Sequence, residues 1–396
     1  MKILHTVEVF YPPEGGMQKV VREISERLAK KGNIVTIASR YDSRIKYPTK
    51  NNIVIEQFKI SGNLVRGYKG QTKEIKRYQN FLKNSYFDII TNFAVQQWAT
   101  DLTFPLLNQL KAKKVLVPTG FSGLYLPEYQ KYFTNMKDWM KKYDMNVFLS
   151  NNYRDINFAR TNRIKNRIII PNGASEKEFL SKRYVDIRKR SNIPQNNLLL
   201  LNVSSHTKLK GHAEAIRIFS QARITNTTFL IVGNKTSKGC FYSCLLRSKL
   251  FNISPRRYFD KKKIILTLLD RKEIIGAYKQ ADLFLFPSNI ECSPIVLFEC
   301  MASKTPFLTT DVGNAQEIIK WSNSGILLPT TKDKNGYSIV DIGQSTKILE
   351  KIYHNVDERK AMAEDGYKVW QKRFTWEILA QQYENMYQRL LKKNLI

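Results

Sequence analysis

Residues 2–39, KILHTVEVFYPPEGGMQKVVREISERLAKKGNIVTIAS, read as strand, breaker, helix, strand. The opening eight residues have the β-branched, apolar character of a strand, and YPPEGG is a cluster of turn formers. From Met17 onward, apolar residues fall at 17, 20, 21, 24 and 28, the spacing of one helix face, and Gly32 ends the run. NIVTIAS then returns to strand character. Such a β–α–β opening predicts a parallel sheet with helices on both faces.

The same alternation continues. FDIIT (87–91), KVLVP (114–118), MNVFLS (145–150) and NRIIIP (166–171) read as short buried strands, with helical stretches such as KEIKRYQNFLKN between them. A polar, basic stretch at 183–197, RYVDIRKRSNIPQNN, reads as a linker. A second series starts at LLLLNVS (198–204) and runs through TTFLIVGN, IILTLL, DLFLFPS and TPFLTTD, each strand alternating with a helix. At 396 residues, two domains are expected. The reading is an α/β protein of two Rossmann-like domains, residues 1–188 and 196–372, facing a cleft. Residues 373–396 are expected to form a terminal helix that packs on one domain or the other, with a return to the N-terminal domain open to it. Ligands in such sheets bind beyond the carboxyl ends of the strands, so chemistry is sought in the loops that follow them.

The charge is strongly basic: 65 lysines and arginines against 34 aspartates and glutamates, a net +31. That permits anionic partners but says nothing about fold. The basic residues are scattered and no nucleic-acid recognition motif is present, so nucleic acid is not an expected partner. The start lacks the charged and apolar regions of a secretory signal, and no run approaches the roughly 20 apolar residues of a span. A cytoplasmic protein is expected, with a membrane surface open to it as a partner. Cys240 and Cys244 lack a second pair at metal-ligand spacing, so all four cysteines are expected to be reduced thiols.

NIECSPIVLFECMASKTPF, residues 289–307, sets Glu291 and Glu299 eight positions apart around an apolar run. Ser293 reads as a helix N-cap and Pro294 as the first helical residue. The backbone N–H groups of Ile295 and Val296 then point out of a helix start, a place that binds phosphate. Glu299 lies about one and a half turns into that helix. A carboxylate accepts two hydroxyl donors, which suits vicinal sugar hydroxyls. In HTKLKGH (206–212), a lysine after a strand and before a glycine and a helix suits a diphosphate.

These stretches resemble family 4 of the retaining, nucleotide-sugar-dependent glycosyltransferases, over nearly the whole chain. The resemblance is carried by PEGGMQK (13–19), IIPNGASEKEF (169–179), SSHTKLKGH (204–212) and PSNIECSPIVLFECMASKTPFLTTDVGNAQEI (287–318). It implies the GT-B fold, with an acceptor-binding first domain and a nucleotide-sugar-binding second domain. It implies that Glu299 holds the ribose hydroxyls, Glu291 the transferred sugar, and Lys210 the diphosphate with help from Lys208. Ser293, Ile295 and Val296 then belong to the donor site, as does Gly233 near the base. Gly15 and Gly16, read as a sharp turn, would close over the donor phosphate and the acceptor. Thr119, Gly120 and Asn172 fall on the acceptor side.

The chain also departs from the family pattern. Ser205 stands where an arginine is usual, Thr119 where a histidine is common, and Thr267 where a glycine often lines the base pocket. Cys292-Ser293-Pro294 replaces Gly-Phe-Gly. The one histidine of the first domain, His5, reads as structural, so no side-chain general base is visible. In the family view the leaving phosphate takes the acceptor proton, and no Asp-x-Asp pair is placed to hold a metal. Metal-independent transfer, with the nucleotide sugar as co-substrate and no other cofactor, is therefore expected. The acceptor expected is a glycan or lipid-linked glycan of cell-surface polysaccharide or lipopolysaccharide type. The alternatives are a soluble-acceptor enzyme of the same fold, or a non-catalytic sugar- or nucleic-acid-binding protein. Residues 126–148 carry aromatics at helical spacing with lysines opposite, which reads either as a helix packed on its own domain or as one docked on anionic lipid.

Overall fold

The computed structural model describes residues 1–10, 15–45, 49–50 and 52–392. They form two compact units, one of Met1–Asn172 with the residues from Trp376 onward, the other of Gly173–Thr375. The change of unit falls at Asn172/Gly173, ahead of the linker read at 183–197. That stretch is part of the second unit because Ile187 and Ile193 are buried in its core and Arg188 pairs with Asp282 at 3.0 Å.

In the first unit the elements are β1 (Lys2–Thr6), α1 (Gly16–Lys30), β2 (Ile34–Arg40), β3 (Thr49–Lys50), β4 (Ile53–Phe58) and a small hairpin, β5 (Ser61–Asn63) with β6 (Gly67–Lys69). Then come α2 (Thr72–Asn84), β7 (Ile89–Phe93), α3 (Trp98–Asp101), β8 (Lys113–Val117), α4 (Gln130–Lys142), β9 (Met145–Phe148), α5 (Arg154–Thr161) and β10 (Arg167–Ile169). The main sheet runs β10-β9-β8-β7-β1-β2-β4-β3, all parallel except β3. The chain winds outward from β1 through β2 and then restarts on the other side of β1 with β7. This reversal of strand order is where open parallel sheets leave a crevice.

The second unit holds short helices α6 (Glu176–Phe179) and α7 (Ile187–Arg190), then β11 (Leu198–Val203), α8 (His212–Gln221), β12 (Thr227–Val232), α9 (Lys238–Asn252), α10 (Pro255–Phe259) and β13 (Lys262–Thr267). It continues with α11 (Arg271–Gln280), β14 (Leu283–Phe286), α12 (Ile295–Ala302), β15 (Phe307–Thr309), α13 (Ala315–Ser322) and β16 (Gly325–Leu327). A β-ladder, β17 (Thr330–Lys332) with β18 (Ser338–Val340), and the helices α14 (Ile342–His354) and α15 (Val356–Arg373) complete it. Its parallel sheet runs β13-β12-β11-β14-β15-β16, so the order reverses between β11 and β14. Both faces are covered. Leu199 and Leu201 face one core cluster and Leu200 the other, and on β12 Leu230 and Val232 oppose Phe229 and Ile231. Strict alternation on a two-sided sheet explains why these strands read as unbroken apolar runs.

The terminal helix α16 (Trp376–Lys392) packs on α1 within the first unit. Its buried stripe is Trp376, Leu379, Tyr383, Met386, Tyr387 and Leu390, each side chain contributing about 1.5–3 kcal/mol by leaving water. Polar contacts fix the register. His5 Nε2 meets Tyr387 Oη at 3.2 Å, Tyr387 Oη meets Thr91 Oγ1 at 2.7 Å, and Asn33 donates to Glu384 at 3.0 Å. His5 is a core residue, and burial pushes its imidazole down to about 3.

The aromatic stretch at 126–148 is also core. Tyr129, Tyr132, Phe133, Met136, Met140 and Tyr143 are buried, and Trp139 stacks on Phe104 at 4.1 Å. With its apolar face already covered, α4 offers none to lipid. Among the described residues no helix is long and apolar enough to cross a membrane.

Candidate functional site

Because β11 and β14 are parallel neighbours, the loops that follow them leave the same edge side by side. The first runs from Ser204 to Gly211 and enters α8, the second from Pro287 to Pro294 and enters α12. The two are closely joined. Asn289 N–H donates to Leu209 O at 3.0 Å, and Ser288 Oγ donates to the same carbonyl at 3.1 Å. Gly211 has φ 67, and a Cβ there would lie 1.8 Å from Pro287 O, so only glycine fits. Lys210 Nζ meets Glu291 Oε1 at 2.5 Å, and Ser288 Oγ lies 3.0 Å from the same oxygen. Both charged groups keep partial solvent access, with 27% and 14% of their side chains exposed. The structure thus brings together Lys210 and Glu291, 81 residues apart in sequence, at the strand-order reversal of this sheet.

A third loop closes on the second. Asn314 N–H donates to Cys292 O at 3.0 Å, and a Cβ on Gly313, at φ 54, would lie 2.1 Å from that carbonyl. Gly233, at the end of β12, answers to the same rule of close approach, since a Cβ there would lie 1.9 Å from Ser204 O. Its N–H donates to Thr267 O at 3.3 Å. Lys208 is exposed, at φ 69, and makes no ion pair among the described residues.

The start of α12 differs from expectation by one position. Pro294 is the N-cap, in extended conformation, and Ile295 is the first helical residue, with no side chain capping it. Ser293 is buried one residue earlier, because proline's fixed φ serves the extended cap as well as the first turn. The N–H groups of Ile295 and Val296 have no backbone acceptor among the described residues.

Glu299, 3% exposed, is held by a residue that the sequence reading passed over. Arg271 Nη2 meets Glu299 Oε1 at 2.6 Å, while its Nε and Nη2 reach the two oxygens of Glu178 at 3.0 and 2.5 Å. Burial opposes the guanidinium charge, but Glu299 and Glu178 outweigh it and hold the group above its ordinary value. Arg271 is the first residue of α11, behind Asp270, whose capping box with Glu273 fixes the helix start. That box was a signal in the sequence; the distance to Glu299 was not. Any hydroxyl held by Glu299 shares it with this guanidinium.

In the first unit the strand-end loops are unusual in their backbone. Ala94 and Gln96, after β7, have φ 64 and 61. Thr119, Gly120 and Phe121, after β8, have φ 60, 100 and 50. Strained residues gather where parallel sheets bind ligands. Each loop is held by a buried carboxylate. Gly120 N–H donates to Asp155 Oδ2 at 2.9 Å, and Gln96 N–H donates to Tyr132 Oη at 2.9 Å, which in turn donates to Asp101 Oδ1 at 2.6 Å. Burial pushes both carboxyls up to about 6, against the hydrogen bonds they accept. Asn172 is buried at the unit boundary. Of the glycine loop, residues 11–14 lie outside the described residues. Gly15, at φ −98 and ψ 156, is the extended N-cap of α1 and Gly16 its first residue. Finally, the fold places His206 beside Cys240 and Cys244, a grouping that the spacing of the cysteines alone did not reveal.

Two parallel α/β units, each with a strand-order reversal, place this chain in the GT-B class of fold. Residues 185–369, most of the second unit, match the family described as Glycosyl transferases group 1. The O-antigen biosynthesis glycosyltransferase WclY of Escherichia coli is 24% identical over 64% of this chain, an alignment that also spans 64% of WclY. Sucrose-phosphate synthase from Thermosynechococcus elongatus superposes with a TM-score of 0.77 at 18% identity, covering 99% of this chain and all of that one. Anabaena Alr3699/HepE, solved in complex with UDP-glucose, superposes at 0.71 with 16% identity, covering 98% and 100%.

Proposed function

We propose that this chain transfers a sugar from a nucleoside diphosphate sugar to a glycan or lipid-linked glycan, with retention of anomeric configuration. The observation that carries the reading is the Lys210–Glu291 pair at the reversal between β11 and β14, beside the free amides that open α12. Lys210 supplies positive charge beside the leaving diphosphate, where a fixed cation stabilises charge that develops in the transition state. The amides of Ile295 and Val296 meet a phosphate oxygen. Glu291, released from Lys210 as the donor enters, accepts from hydroxyls of the transferred sugar. Glu299, oriented by Arg271, accepts from the ribose. No side-chain base is assigned. The departing phosphate oxygen takes the acceptor proton on the face where the new bond forms, and positioning supplies the remainder. Omitting Mg2+ and Mn2+ is expected to leave the rate unchanged. The likeness to a fold solved with UDP-glucose favours UDP as the carrier, and the likeness to an O-antigen enzyme favours a cell-surface glycan acceptor.

A lipid-linked acceptor needs a surface that meets lipid, and α9–α10 supports this role in place of α4. Tyr242, Leu246, Leu250, Ile253, Tyr258 and Phe259 are all more than half exposed, with Arg247, Lys249 and Lys261 among them. Exposed apolar residues flanked by cations suit an anionic bilayer. Co-sedimentation that is equal on neutral and anionic vesicles would remove this part.

The donor reading is tested by thermal shift against UDP, GDP and dTDP and their common sugars, with the Glu299→Ala variant alongside. A ligand at about a hundred times its Kd stabilises by about 2.7 kcal/mol. One responsive nucleotide, lost in the variant, supports the site. No response to any of them rejects it. NMR of the product's anomeric proton decides retention.

A further inference from the structure

Cys240 and Cys244 lie one turn apart on α9, so their sulfurs leave the same helix face. His206, in the loop after β11, meets that face. A ring nitrogen of His206 and the two sulfurs all lie within 4.8 Å of one another. His206 Nδ1 is 3.7 Å from Cys240 Sγ. A tetrahedral ion with metal–nitrogen bonds of about 2.0 Å and metal–sulfur bonds of about 2.3 Å needs N···S of about 3.5 Å and S···S of about 3.8 Å. Drawing the three groups onto one ion therefore takes side-chain shifts of about 1 Å or less.

The backbone around the cluster is fixed. His206 N–H donates to Asn234 O at 3.1 Å, and His206 O accepts from Ser237 N–H at 2.7 Å. Ser237 is the N-cap of α9, so histidine and helix start are tied together. His206 and Cys244 are buried, while Cys240 is half-buried and leaves an approach from solvent. The His206 ring stacks on His212 at 4.0 Å and packs edge-on to Phe241 at 5.2 Å. His206 Nε2 makes no hydrogen bond among the described residues, although it is buried.

We propose that His206, Cys240 and Cys244 bind one thiophilic transition-metal ion of the zinc class, with the fourth position open to solvent on the Cys240 side. Two sulfurs and an imidazole select such an ion over magnesium or calcium, which take oxygen ligands. The ion would clamp the β11–α8 loop to α9, four residues ahead of Lys210. The site is distinct from the Lys210–Glu291 pair and does not depend on the donor reading.

The test is metal stoichiometry. The chain is purified with a phosphine reductant, loaded with Zn2+, desalted and measured by elemental mass spectrometry. About one zinc per chain is expected, falling at least tenfold in the Cys240→Ser/Cys244→Ser double variant and unchanged in Cys292→Ser. Loading with Co2+ should give a thiolate-to-cobalt charge-transfer band that Cys240→Ser cuts by half or more. The proposal is overturned if the wild type keeps less than about a tenth of a zinc per chain, if the double variant keeps as much as the wild type, or if the cobalt spectrum lacks the thiolate band. Should the buried Cys244 change prevent folding, the cobalt spectra of the wild type and of Cys240→Ser decide the matter.

Discussion

The loop after β8 and the loop after β11 leave the same kind of sheet edge, yet they are made of different materials. After β11 the groups that meet are charged side chains, Lys210 on Glu291, and in the same unit Arg271, after β13, pairs with both Glu299 and Glu178. After β8 the distinctive feature is backbone. Three successive residues have positive φ, and a buried Asp155 accepts the central N–H. The comparison teaches where each kind of information resides. Charge pairing is carried by residue type. A left-handed turn built from Thr119 and Phe121 is carried by the packing that forces it.

The comparison breaks first at Lys210. If charge is the working part of the second unit, Lys210→Ala should lower sugar transfer by about 10²–10³-fold with little change in melting temperature. A loss of less than about fivefold would show that the amides of α12 suffice without the cation.

That contrast also explains what could be read from the sequence. The two α/β series were legible because buried strands and amphipathic helices have different periods, as Leu199–Leu201 and the 17, 20, 21, 24 stripe of α1 show. Glu291, Glu299 and Lys210 were legible as charged residues out of place beside apolar runs. Arg271, Asp101 and Asp155 were not, since each earns its role from a partner about 28 to 37 residues away. The cluster of His206 with the two cysteines depends on where β11 ends relative to α9, which no spacing rule contains. The aromatic stripe of α4 has one appearance whether it meets lipid or Phe104; only tertiary contacts separate the two.

The next test compares glycine with non-glycine turns. Gly211→Ala places a methyl against Pro287 O at a left-handed position, and should cost about 2–4 kcal/mol in urea unfolding. A cost below about 1 kcal/mol would mean that the two loops part easily.

Asp155 sharpens the first-unit side through pH. Its carboxyl is raised from an ordinary 3.8 to about 6, so the folded state holds the proton more tightly than the unfolded one. The stabilisation is full below about pH 4 and lost as pH rises through about 6, a fall on the order of 2–3 kcal/mol. Asp155→Asn should flatten the stability profile across that window. Asp101, raised in the same way, should keep part of the slope.

The smallest effect is expected at Thr119→Gly. Relief of a left-handed threonine, about 1–2 kcal/mol, is set against a glycine entropy cost of about 0.5–1 kcal/mol. A change between zero and about +1.5 kcal/mol is expected in urea unfolding. A clear loss would show that the threonine side chain, not the turn, holds this loop.

The return of α16 to the first unit fixes an order of events on the ribosome. Trp376, Tyr383 and Tyr387 emerge only after all of Gly173–Thr375 has been made. The second unit has its whole sheet available early and can close during synthesis. Until then His5 and Thr91 lack Tyr387, and the side of α1 that α16 covers stays wet. Although it comes first in the chain, the N-terminal unit should be the last to mature, and the one that depends on chaperones while it waits.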